Sequence, residues 1–88
     1  MKTLTSTILI FFSIISSTVA AMPIKIFFMS QDRSKDGNTF YVYQVECSDG
    51  RQPTISNWED SKKWCLGTSN AQCEATRLKA ASVACKLG

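Results

Sequence analysis

Four cysteines, Cys47, Cys65, Cys73 and Cys85, are the residues of this 88-residue chain best equipped for chemistry. No histidine is present to work with them. That excludes Ser-His-Asp and Cys-His centres and every zinc site that uses imidazole. A thiolate metal site would need close pairs of the C-x-x-C kind. Here the cysteines are separated by 17, 7 and 11 residues. An even number of cysteines in a short chain instead predicts a disulfide framework. The remaining acid–base candidates are Glu46, Asp49, Glu59 and Asp60 with the scattered lysines and arginines. A glycosidase needs two carboxylates facing each other across a cleft, which a chain this short seldom forms. A small ribonuclease that works with Glu, Arg and His is not made by Glu46 and Arg51 alone, because the histidine is missing. The sequence therefore points to a binder, with no catalytic residue, no metal and no cofactor.

The aromatic residues carry the binding expectation. Tyr41, Tyr43 and Trp64 fall in apolar patterns that suit a core. Trp58 lies in the polar stretch Ser56-Asn57-Trp58-Glu59-Asp60, where no apolar period demands it. An exposed tryptophan is a natural interface anchor. The candidate binding set is Trp58 with Arg51 and Glu59 beside it in the same segment. Arg77 would sit within the apolar arc of a C-terminal helix, where an ion pair with Glu74 three residues earlier accounts for it.

Few secondary-structure elements are available to hold these residues. Ile24–Met29 (IKIFFM) predicts a strand buried on one side and partly covered on the other. The polar run 30–38 ends in Asp36-Gly37-Asn38, which is turn chemistry. Thr39–Cys47 (TFYVYQVEC) is the clearest strand, with Tyr41, Tyr43, Val45 and Cys47 on one face. Asp49-Gly50 signals a hairpin. Short strands are expected around Thr54–Ser56 and Lys62–Leu66, with a loop between them.

Asn70–Leu87 has helical composition, with Ser69 or Asn70 as its cap. Its apolar stripe would hold Cys73, Ala80, Ala84 and Leu87, extended by Leu78, Ala81 and Cys85. On such a helix Cys73 and Cys85 would stand about 18 Å apart. A disulfide needs Cα atoms within about 7 Å. That geometry excludes Cys73–Cys85 and favours Cys47–Cys85 with Cys65–Cys73 over Cys47–Cys73 with Cys65–Cys85. The fold class that follows is α+β: a small antiparallel sheet of three to four strands, one C-terminal helix packed on it, and two disulfide staples.

The first fifth of the chain has a different purpose. Lys2 precedes the apolar run Ile8–Ile15, and the small residues Thr18, Ala20 and Ala21 follow. This is the pattern of a secretory signal, too short to span a bilayer. Cleavage after Ala20 or Ala21 is expected, leaving a single domain over 21–88. Losing Lys2 lowers the formal charge from +3 to +2. The remaining basic residues form no stripe, so neither nucleic acid nor membrane is expected as a partner. The product is expected to be a secreted, extracellular monomer.

The leader (MKTLTSTILIFFSIISSTVAA), the mature length, the two disulfides and the lack of catalytic equipment together resemble the small cysteine-containing secreted effectors of plant-pathogenic fungi. The resemblance covers the whole chain and is architectural. The Tyr-x-Cys start of the ribonuclease-like mildew effectors is absent, since Tyr43 lies four residues before Cys47. What the resemblance implies is secretion to the host interface, in the apoplast, and suppression of plant defence by binding a host protein or cell-wall ligand. Two other readings stay open: a secreted inhibitor of a protease or lysozyme acting through a loop over 52–60, and a small toxin or antimicrobial protein.

Overall fold

The structure is a computed structural model that describes residues 20–87. The leader expected over 1–20 therefore lies outside the described residues, apart from Ala20. Five strands and one helix make up the domain: β1 (Pro23–Arg33), β2 (Thr39–Cys47), β3 (Thr54–Trp58), β4 (Trp64–Leu66), β5 (Cys73–Glu74) and α1 (Arg77–Lys86). The strands form one antiparallel sheet in sequence order, so each pairs with its chain neighbour. This is the antiparallel sheet and C-terminal helix that the sequence predicts, with one strand more than expected.

Local chemistry explains the turns. Gly37 and Gly50 take φ of 87° and 93°, conformations open to glycine and strained for other residues. At the second turn Gly50 N–H donates to the Cys47 carbonyl, and Cys47 N–H donates to that of Arg51. The β2–β3 hairpin thus closes through Asp49-Gly50. The first strand is longer than IKIFFM. It runs on through Ser30–Arg33, because β2 offers partners as far as Thr39. Two register shifts interrupt β1, between Pro23 and Lys25 and between Phe28 and Ser30.

The helix is shorter than its composition suggests. It begins at Arg77, with Thr76 as N-cap accepting a hydrogen bond from Lys79 N–H at 3.2 Å. Residues 70–75 are not helical; Cys73 pairs with Cys65 as part of β5. A cross-strand disulfide, Cys65–Cys73 with Cα atoms 3.8 Å apart, holds that pairing. Tertiary bonding here overrides the helix preference of Ala71, Gln72, Glu74 and Ala75. The second disulfide, Cys47–Cys85, joins the end of β2 to the end of α1. Cys73 and Cys85 do not share the single helix expected from composition: Cys73 is on β5 and Cys85 on α1, and strand pairing rather than helical spacing commits Cys73 to Cys65.

The register assigns two faces to the sheet. On one, α1 lays Ala80, Ala81, Ala84 and Cys85 against Val45, Cys47 and Ile55. Alanines let the helix approach closely, and Leu78 and Leu87, expected in the apolar stripe, point outward at 64% and 62% exposure. On the other face Phe40, Trp58 and Cys65 form a second buried cluster with Val42 and Cys73. β1 departs most from expectation. Its sequence predicts a strand buried on one side and partly covered on the other, yet Ile24, Phe28 and Met29 are more than half exposed. An edge strand with the helix over only part of its length leaves those side chains open.

Candidate functional site

Each residue of the sequence-based binding set is tied into the fold. Trp58 is 3% exposed and lies inside the domain, not on a loop. It ends β3 opposite Phe40. The two rings stack with centroids 4.4 Å apart, and the indole Nε1–H donates to buried Ser56 Oγ at 2.9 Å. The anchor expected at Trp58 is therefore core. The polar neighbours that made Trp58 look exposed obey the strand's period of two, with Asn57 on the opposite face of the sheet. The loop expected over 52–60 is likewise mostly strand.

Arg51 and Glu59 lie at opposite ends of the β2–β3 hairpin, next to Cys47 and Thr39 of β2 respectively. Arg51 Nε donates to Asp49 at 2.7 Å, and its guanidinium also donates to the Cys85 carbonyl. It thereby ties the β2–β3 turn to the last turn of α1. The backbone N–H and side chain of Arg51 hold the Asp49 carboxyl below its ordinary value of 3.8. Glu59 accepts a hydrogen bond from the Tyr41 hydroxyl at 2.7 Å, which raises the phenol above its usual 10.0. Asp49 and Glu59, two of the acid–base candidates, are thus kept at opposite ends of a nine-residue strand.

The surface that the sequence did not single out lies on the helix side of the sheet. Phe28 of β1 pairs in register with Tyr43 of β2, and their rings meet edge to face with centroids 5.6 Å apart. Tyr43 in turn lies 5.1 Å from Trp64 of β4. The Arg77 guanidinium, at the start of α1, stands 6.0 Å above the Trp64 ring. That contact takes the place of the ion pair expected with Glu74. Phe28 is 54% exposed, whereas Tyr43 and Trp64 are half-buried against the main core. Tyr41, bonded to Glu59, and Asn57 share the same face by register. The strip therefore sets aromatic side chains along its length with hydrogen-bonding groups at its rim.

A recess between the start of β1 and the start of α1 shares Arg77 with this strip. It is lined by Pro23, Ile24, Lys25, Ile26, Arg77 and Leu78. Ile26 packs against the main core, whereas Ile24 and Leu78, the latter expected in the apolar stripe of the helix, are exposed. The signal that could have exposed the strip is the crowding of β1. Five of the six residues of IKIFFM are apolar, more than a half-buried edge strand needs.

Among the described residues no group of three metal-ligating side chains converges, and no helix is long and apolar enough to cross a membrane. No protein-family model, curated protein or solved structure matches this chain.

Proposed function

We propose that this chain is a secreted effector, a disulfide-stapled binding protein that contacts a host component and suppresses plant immune responses. The single observation that carries the binding part is the half-open aromatic strip Phe28–Tyr43–Trp64 beside Arg77. Rings held by neighbours lose little conformational freedom on binding, which favours them as contact residues. The two disulfides suit an oxidising extracellular setting. The leader-like pattern of 1–20 supports export, and the architectural resemblance to fungal effectors supports the host setting.

The test is to supply the mature chain to leaf tissue and measure the elicitor-triggered oxidative burst. The wild-type chain is expected to lower the burst. Phe28→Ser is expected to lose most of that effect while keeping the far-ultraviolet circular dichroism of the wild type, because Phe28 is an exposed residue. An unchanged burst, with no cell death, would overturn the effector reading. Equal suppression by Phe28→Ser would move the contact away from the strip.

A further inference from the structure

The outer edge of β1 carries a pattern that the strip does not explain. β1 is an edge strand of 11 residues, and among the described residues no strand pairs with its outer side. Long apolar edges are templates for pairing with another chain. Four of its large apolar residues, Ile24, Phe27, Phe28 and Met29, are exposed.

The charges of β1 select the partner. Place a second β1 antiparallel beside the first, about a two-fold axis between Phe28 and Met29. Lys25 then lies opposite Asp32 of the second copy, and Asp32 opposite its Lys25. Inside these pairs, Ile26 faces Gln31 and Phe27 faces Ser30. Such a pairing is possible only if opposed residues share a face. In a regular strand residues 25 and 32 would not, because seven steps reverse the side. The register shift between Phe28 and Ser30 removes that conflict. Through their partners on β2, Lys25 (opposite Glu46), Phe27 (opposite Gln44), Ser30 (opposite Val42) and Asp32 (opposite Phe40) all lie on the helix-free face. Ile26 and Gln31 both lie on the helix face, opposite Val45 and Tyr41. The irregularity recurs in the second copy at the symmetric position, so two residues on each strand span the centre. The centre brings Phe28 against Met29, a favourable sulfur–aromatic pairing.

We infer that two copies of this chain pair edge to edge through β1, antiparallel, with two reciprocal Lys25–Asp32 contacts. A two-fold axis perpendicular to the sheet keeps both helices on one side. The two aromatic strips then run toward each other at the shared edge, with Phe28 of each copy near the axis. The helices do not obstruct this, because α1 flanks the Pro23–Ile26 half of β1. Antiparallel pairing sets that half against the uncovered half of the second copy. The expectation of a monomer gives way here to a closed, isologous dimer. The dimer does not depend on any host component; only its use as a doubled binding face rests on the proposed function.

The experiment is light scattering coupled to size exclusion, with sedimentation equilibrium, on the mature oxidised chain from micromolar concentrations to about 1 mM. The wild type is expected to reach twice the monomer mass. Asp32→Lys sets lysine opposite lysine in both contacts, and like charges directly opposed are destabilising. It should weaken association about tenfold or more. Adding Lys25→Glu should restore it, since the double variant reinstates both pairs with reversed sign. Lys25→Glu alone also meets Glu46 within its own chain, so circular dichroism accompanies every variant. A monomer at every concentration would overturn the inference. So would a dimer insensitive to Asp32→Lys, or an open-ended series of larger species. None of these outcomes bears on suppression of the oxidative burst, which is measured separately.

Discussion

Trp58 and Glu59 are chain neighbours with opposite fates, and their contrast shows what a residue type alone conveys. Trp58 fills the helix-free core against Phe40, and its N–H satisfies the hydroxyl of fully buried Ser56. Truncating it removes a large ring and orphans that hydroxyl. Trp58→Ala is expected to cost about 3–5 kcal/mol, seen as a lower midpoint in guanidinium titration of the oxidised domain. A loss below about 1 kcal/mol would return Trp58 to the surface role that its polar neighbours suggest. Asp49 makes a prediction about pH. Its folded carboxyl titrates below the ordinary 3.8, chiefly because Arg51 N–H and the Arg51 side chain bond to it. A depressed folded value adds stability that is present above the unfolded value and lost as pH falls through the folded one. The melting temperature should therefore fall in acid below about pH 4. Asp49→Asn should flatten that part of the profile while leaving the neutral-to-basic side unchanged in shape. An identical acid slope in the variant would show that other carboxyls set it.

At the scale of elements, β2 was legible almost to the residue and α1 was not, for one physical reason. Thr39–Cys47 alternates cleanly, and a strand paired on both sides has its pattern enforced by its neighbours. Composition alone extends the helix back to Asn70. The Cys65–Cys73 bond and the β4–β5 pairing instead claim Cys73, so the helix waits for the next capping residue, Thr76. Ser69, expected as a cap, accepts only from Ala71 N–H in the loop. The aromatic strip Phe28–Tyr43–Trp64 was illegible for a related reason. Phe28, Tyr43 and Trp64 are far apart in the chain, and only strand order brings them together. Their apolar character looked like core because the part of the sheet that α1 leaves open depends on where the helix begins. The cap is testable on its own. Thr76→Ala is expected to destabilise by about 1 kcal/mol, and Thr76→Ser by far less. Equal losses in the two variants would mean that the hydroxyl is not what starts the helix.

The whole molecule is a small core held by two staples. Its main cluster consists of Val45, Ile55, three alanines and two cysteines, with half-buried residues around it. Domains of about 70 residues rarely gain more than about 3–5 kcal/mol from packing alone. In the chain-entropy picture, the Cys47–Cys85 bond adds about 4 kcal/mol and the Cys65–Cys73 bond about 2.5 kcal/mol, because the first closes the longer loop. Together they exceed what the core supplies. The oxidised domain is thus expected to unfold cooperatively, and the fully reduced chain to lack a cooperative transition at 25 °C. Replacing Cys47 and Cys85 by serine should be worse than replacing Cys65 and Cys73, for a second reason besides loop length. Cys47–Cys85 is the covalent tie between sheet and helix, and Arg51 reinforces it through the Cys85 carbonyl. Without that tie α1, a ten-residue helix, must be held by its alanine face, and isolated helices of that length are marginal. Circular dichroism with denaturant titration of the two double-serine variants decides the order. If the Cys65–Cys73 variant proved the weaker, stability would lie in the helix-free cluster around Trp58 and not in the docking of α1.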